Sequence, residues 1–198
     1  MTMQTERQKE ILDTALDLIS QKGIQGLTIK NLSKKIGISE PAIYRHYENK
    51  IEILLKILDL FKESSGSIFE DTLQSDSGAI HKIEYLFSQH FSKFAENPTL
   101  VSVIFSEEIF RSEPALIEKI AEVINRNSQI LRKIIVTGQE EGEIRNDLEA
   151  GHIAIIIMGS LRLFVKQWQF SGYNFKLEKE GQKLINSVKL LIKNQNLT

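Results

Sequence analysis

The chain has 198 residues, of which 41% are hydrophobic and 26% charged, and its formal net charge is −1. That composition fits a globular protein of one large domain or two small ones, and the near-neutral balance argues against a general nucleic-acid coat. Cysteine is absent, which excludes disulfides and thiolate metal sites and is compatible with a reducing compartment.

The N-terminal MTMQTERQKE is polar and has no apolar segment of the kind a signal peptide needs. No uninterrupted apolar run approaches the ~18 residues of a membrane span; the longest, Ile153–Met158, is far shorter. A cytoplasmic protein without a membrane partner is expected. The three prolines, Pro41, Pro98 and Pro114, leave long stretches free for helices. The first helix is expected over Glu6–Lys22, where Ile11, Leu12, Ala15, Leu16 and Ile19 recur on one face. Gly23 and Gly26 interrupt the chain. Thr28 can cap a second helix with Ile29, Leu32 and Ile36 on one face, and Gly37 can end it by adopting positive φ. Ser39 can cap a short third helix that tolerates Pro41 in its first turn. IEILLKILDLF, after Lys50, opens a fourth. Beyond the polar break Asp71–Gly78, helices are expected over Ala79–Glu96, Thr99–Phe110, Pro114–Glu141, Leu148–Phe170 and Leu177–Lys193. The fold class is therefore all-α, with about nine helices and no strand-like alternation.

Charge is unevenly distributed. Between Lys22 and Lys50, six basic side chains (Lys22, Lys30, Lys34, Lys35, Arg45, Lys50) face two acidic ones (Glu40, Glu48). That leaves this stretch at +4 and the remainder at −5. A basic head on an acidic body suits local phosphate contact, although a solvated charge fluctuation gives the same count. The segment Leu27–Tyr47, LTIKNLSKKIGISEPAIYRHY, joins two short helices through Gly37-Ile38-Ser39. Leu32, Ile36, Ile38, Ile43 and Tyr47 can point inward and lock the second of these helices across the first. Glu40, Ala42, Tyr44, Arg45 and His46 then face outward, where such a helix can enter a major groove. Thr28, at a helix N-terminus, and Lys50 can each contact a phosphate. A tyrosine, Tyr44 or Tyr47, can reach the sugar-phosphate backbone. The candidate DNA contacts are Thr28, Ser39, Glu40, Pro41, Ala42, Tyr44, Arg45, His46, Tyr47 and Lys50.

From Arg7 to about Leu60 the sequence resembles the DNA-binding domain of TetR-type (TetR/AcrR family) regulators. GIQGLTIKNLSKKIGIS, the helix PAIYRHY and Lys50 leading into IEILL carry the likeness, and Thr28, Gly37, Ser39, Tyr44, Tyr47 and Lys50 fit the family pattern one by one. The departures are mild: the family more often has Phe where Tyr47 stands and Ala where Ser33 stands. The resemblance implies a helix-turn-helix domain over residues 1–50 and a helical ligand-binding and dimerisation domain over 51–198. It also implies a repressor released from a palindromic operator when a small effector binds, and a dimer interface on the last two long helices. Ile153–Leu163 is apolar nearly all round, more than one buried face within a single subunit is expected to cover. Leu184, Ile185, Val188, Leu191 and Ile192 form a second stripe.

In the second part, Phe87, Phe91 and Phe94 share one helix face, followed by Phe105, Phe110, Phe164 and Trp168. An ordinary core stripe and a ligand cavity between helices both fit them. His90 and Arg162 are polar groups on those helices that a ligand can partner. The candidate effector residues are thus Phe87, His90, Phe91, Phe94, Phe105, Phe110, Arg162, Phe164 and Trp168, and the expected effector is small and hydrophobic. An acyl thioester or apolar carboxylate is expected only if Arg162 points inward. His46, His81, His90 and His152 have no ligand spacing, so no metal site and no cofactor is expected. Glu107-Glu108 and Glu140-Glu141 read as solvated faces, and no catalytic constellation is present. A helical enzyme, a ligand-independent architectural DNA-binding protein and an activator remain the alternatives to a repressor.

Overall fold

The computed structural model describes residues 5–106 and 113–194, and among these residues nine α-helices and no strand are present. They are α1 (Glu6–Lys22), α2 (Ile29–Ile36), α3 (Glu40–Tyr44), α4 (Lys50–Gln74), α5 (Ala79–Glu96), α6 (Pro98–Ile104), α7 (Pro114–Glu140), α8 (Ala150–Phe170) and α9 (Leu177–Ile192). A 3-10 turn, Ile24–Gly26, links α1 to α2. The chain divides into two compact units, Met1–Lys62 with Thr99–Ala121, and Glu63–Pro98 with Glu122–Thr198.

In the first unit, Thr5 and Gln8 form a reciprocal capping box that starts α1. α1 buries Ile11, Leu12, Ala15, Leu18 and Ile19; Leu18, rather than the expected Leu16, completes the face. Gly26 belongs where the 3-10 turn approaches α1, since a Cβ there would overlap the Lys22 side chain. Lys119 Nζ lies 2.8 Å from the Asp59 carboxylate and joins the start of α7 to α4.

In the second unit α5 is the central helix. It buries Ala79, Ile83, Leu86, Phe87, His90, Phe91 and Phe94. It packs so closely on α9 that a Cβ on Gly181 would overlap the Phe91 ring. Glu84 joins the same helices, accepting from Lys189 Nζ at 2.7 Å and Gln182 Nε2 at 2.9 Å. These two donors, Lys189 foremost, hold the Glu84 carboxyl below its ordinary pKa. A buried Asn127 Nδ2 donates to Ser65 Oγ at 2.8 Å and ties α7 to α4. One antiparallel bridge, Ile144 to Lys193, brings the end of α9 back to the loop after α7.

The expectation that no segment has membrane-span character needs correcting. α8, 21 residues long, is by length and composition apolar enough to cross a bilayer. Arg162 and Lys166 interrupt any unbroken apolar run, which is why counting such runs missed it. A third of its most apolar stretch is buried inside this fold. Much of the rest is exposed: Ile155 69%, Leu163 62% and Phe170 78% on α8, joined by Leu190 74% and Leu191 60% on α9.

Candidate nucleic-acid interface and effector core

The helix-turn-helix is built from local chemistry. Thr28 precedes α2 in extended conformation, and its hydroxyl accepts from the Asn31 N–H at 3.0 Å. Asn31 Nδ2 in turn donates to the Gly26 carbonyl at 2.9 Å, anchoring α2 to the turn before it. α2 ends at Gly37, whose φ of 81° and ψ of 29° lie in the left-handed region. The N–H groups of Gly37 and Ile38 both donate to the Ser33 carbonyl, at 2.9 and 3.0 Å. Ser33 is itself buried and satisfies its hydroxyl on the Lys30 carbonyl at 3.0 Å.

Ser39 then caps α3, with Pro41 in its first turn. The Ser39 side chain makes no capping bond, which leaves its exposed hydroxyl available to a partner. Leu27, Leu32, Ile43 and Tyr47 form the core that fixes α3 in place. Each such apolar side chain contributes ~1.5–3 kcal/mol by leaving water. Ile36 and Ile38 are half-buried at its edge. Asn49 caps α4, accepting from the N–H groups of Ile51 at 2.9 Å and Glu52 at 3.0 Å. Glu52 accepts from the Glu48 N–H in return. Asn49 was absent from the sequence-derived set, yet Asn-x-x-Glu before an apolar run is the signal that would have found it.

Thr28, Ser39, Glu40, Pro41, Tyr44, Arg45 and Lys50 are all exposed; Ala42 and His46 are half-buried. Tyr44 is the most exposed large apolar residue of this segment, at 52%. Tyr47 differs: at 4% exposure it occupies the inward position beside Ile43, and its ring does not present a surface to a phosphate. Lys30, Lys34 and Lys35 are exposed nearby, and Lys35 Nζ lies 3.3 Å from the Asp17 carboxylate.

The expected effector residues fall into distinct groups. Phe87, Phe91, Phe164 and Phe175 form a chain of ring contacts with centroids 5.7, 5.7 and 5.5 Å apart. Trp168 packs edge-on to Tyr173 at 4.7 Å and donates its indole N–H to the Phe175 carbonyl at 2.8 Å. Tyr173 has φ 63°, a strained backbone for a residue with a Cβ. His90 packs edge-on to Phe69 at 5.4 Å and tilted to Phe94 at 6.3 Å. A cavity with only about 10 Å³ of free space lies among α4, α5, α7 and α8. Phe69, Phe87, His90, Leu131, Met158 and Leu161 are among its walls. Of the expected set, therefore, Phe87 and His90 line the cavity. Phe91, Phe94, Phe164 and Trp168 lie outside its lining. Phe105 belongs to the first unit, Phe110 lies outside the described residues, and Arg162 is exposed, so the inward arginine on which an acyl thioester was expected is not found. Burial pushes the His90 imidazole below its ordinary pKa. Among the described residues no cluster of three or more metal-ligating side chains occurs.

Two family models match. One describes bacterial regulatory proteins of the tetR family and covers residues 11–57; the other describes the YsiA-like protein C-terminal region and covers residues 61–194. The fatty acid metabolism regulator protein of Bacillus subtilis (strain 168) is 26% identical over 180 residues, covering 89% of this chain and 91% of its own. The structure of the transcriptional regulator FadR from Bacillus subtilis, in complex with stearoyl-CoA, superposes with a TM-score of 0.73 at 27% identity, covering 92% of this chain and 96% of that one. The ketosteroid regulator KstR2 of Mycobacterium tuberculosis has a TM-score of 0.84 at 20% identity over 96% of this chain and 97% of its own, a likeness of fold. With both segments matched by consecutive family models, the chain belongs to the TetR family of bacterial transcriptional regulators.

Proposed function

We propose that the protein is a cytoplasmic, homodimeric repressor rather than an enzyme, that it grips a palindromic operator with two copies of α3, and that an apolar effector in the helical body releases it. The observation that carries this reading is the exposed, polar surface of α3 and its flanks, held over a core of Leu27, Leu32, Ile43 and Tyr47. Arg45 is the base reader, since arginine pairs with guanine O6 and N7. Thr28, Ser39, Tyr44 and Lys50 take phosphates and sugars, and Glu40, Pro41, Ala42 and His46 set the fit to the groove. In this division of labour residues 1–50 are the DNA-binding domain and 51–198 the ligand-binding and dimerisation domain. Two-fold symmetry is supported by the apolar face of α8 and α9, because Ile155, Leu163, Phe170, Leu190 and Leu191 remain exposed in one subunit.

The effector is taken up by the aromatic core of the second unit. With about 10 Å³ free, uptake requires side chains to move, and binding must favour one arrangement of the body over another to release DNA. A long-chain acyl group is the class to test first, because the chain is similar to a fatty acid metabolism regulator of Bacillus subtilis and to the structure of the Bacillus subtilis regulator FadR in complex with stearoyl-CoA. An acyl tail needs no partner from the exposed Arg162. Operator binding followed by fluorescence anisotropy, with and without stearoyl-CoA, tests the reading. Release over the range in which the ligand quenches Trp168 is expected; DNA affinity unmoved by any apolar ligand would leave an architectural DNA-binding protein as the better account.

A further inference from the structure

The helix that presents Arg45 also presents a carboxylate. Glu40 is the first residue of α3 and is exposed, and its side chain makes no hydrogen bond or ion pair with any described residue. Two other acids of the head are engaged: Lys35 Nζ lies 3.3 Å from Asp17, and Glu52 accepts from the Glu48 N–H. Toward DNA a carboxylate at this place is costly. It opposes the phosphates on a stretch whose other charges are mostly basic, and that cost falls on every sequence alike. It is offset only where a base edge in the major groove offers a hydrogen-bond donor. Cytosine offers its N4 amino group, for which Glu is a matching acceptor. Guanine N7 and O6 and thymine O4 are acceptors and repel a carboxylate, and adenine sets its N7 acceptor beside its amino group. The N-terminal residues of a recognition helix are the ones that reach base edges, and Glu40 holds that position. An acid in a first turn also favours the helix itself, but that role acts on stability and is blind to DNA sequence.

We infer that Glu40 is a specificity-determining residue of the operator complex: its carboxylate accepts from the N4 amino group of a cytosine and by its charge disfavours sequences that lack one. This rests on the reading of α3 as the element that enters the major groove, and it adds a second base position to that of Arg45. Five residues separate Glu40 from Arg45, ~7.5 Å along a helix axis, or about two base pairs at ~3.4 Å each. Each half-site is therefore expected to hold a guanine for Arg45 and, about two pairs away, a cytosine for Glu40.

The test uses the full-length protein and the duplex that wild type selects from a random-sequence library. Each half-site base pair is replaced in turn by the other three, in both half-sites together. Every duplex, and one non-operator duplex, is titrated by fluorescence anisotropy with wild type, Glu40→Gln, Glu40→Ala and Arg45→Ala, each checked for native melting. Wild type is expected to prefer cytosine at one position by about tenfold, within the discrimination of one good side-chain–base pair. Glu40→Gln should move that preference to adenine, which glutamine reads through N6 and N7. Glu40→Ala should abolish it, and both variants should bind the non-operator duplex more tightly than wild type. Weakening of all duplexes by one factor would assign Glu40 to the stability of α3 alone and overturn the inference, as would an unchanged preference at every position. Arg45→Ala separates the two claims: if it loses a guanine while both Glu40 variants keep every preference, α3 still reads DNA and Glu40 does not. If wild type selects no sequence, the reading of α3 falls and this inference falls with it.

Discussion

Leu163→Asp is the most informative change to the body. Leu163 is 62% exposed in a single subunit, so a charge there costs that subunit little. In a dimer built on α8 and α9 the same side chain becomes buried, and symmetry places the substitution in the interface twice. Removing one leucine from an apolar interface costs ~1.5–3 kcal/mol by area alone. Two copies therefore cost ~3–6 kcal/mol, roughly 10²–10⁴-fold in the dimer dissociation constant, before any cost of burying carboxylates is added. Gly159 sits near the middle of the same face, one turn before Leu163, with nothing within 4 Å of where its Cβ would be. In such a dimer the flat patch it leaves would let a partner helix approach closely. Sedimentation velocity across nanomolar to micromolar concentrations reads the dissociation constant, and thermal melting at low concentration reads the subunit alone. The reasoning predicts a monomer with a nearly unchanged melting point. A dimer as tight as wild type would show that this face is not the interface, and a subunit that no longer folds would show that Leu163 is not exposed.

Replacing Thr28 by Ala should lower stability by ~1 kcal/mol through loss of the α2 cap, and Thr28→Ser should restore it; urea unfolding of the three proteins checks this. Arg45→Ala should cost ~1–3 kcal/mol at one operator position, whereas Lys50→Ala should weaken all sequences alike and flatten the salt dependence, a difference that anisotropy titrations at two salt concentrations resolve. His90 has a folded-state pKa below its ordinary value, so the folded protein binds fewer protons than the unfolded one between those two values. Its contribution to stability is fully present above about pH 6.5 and is lost as pH falls below that toward the folded value, with a slope of at most ~1.4 kcal/mol per pH unit. The difference in stability between wild type and His90→Phe should therefore narrow in acid, and a difference independent of pH would count against a neutral buried imidazole.

Much of the fold can be read from local signals. Gly37 ends α2 because a left-handed φ is a demand that a single residue meets, and Ser39 stands before α3 in extended conformation without a side-chain capping bond. The α5 and α9 boundaries follow from a polar break and a loop glycine in the same way. α8 begins at Ala150 rather than Leu148 because the Leu148 carbonyl is taken by Gln139 Nε2 at 2.8 Å, a contact from α7 that no local pattern carries. Gly37, Ser39 and the exposed residues of α3 were legible for the same local reasons. Tyr47 was ambiguous because a tyrosine suits both a core and a phosphate.

The effector core was less legible. Phe87, Phe91 and Phe94 share a spacing, yet α5 is buried on several sides. Phe91 meets α9 at Gly181 and α8 at Phe164, while Phe87 and His90 face the cavity. Periodicity shows that a side chain is buried and not which neighbour buries it. Phe69, Leu131 and Leu161, brought to the cavity from three other helices, could only be found in three dimensions.

Selection of bound duplexes from a random-sequence library, run in parallel with wild type and with the Tyr44→Ala, Arg45→Ala double variant, tests the central claim most directly. Wild type should enrich a two-fold symmetric sequence with half-sites about one helical turn apart, and the double variant should enrich none while keeping its fold. Enrichment of the same sequence by both proteins, or of no sequence by wild type, would contradict the assignment of α3 as the element that reads DNA.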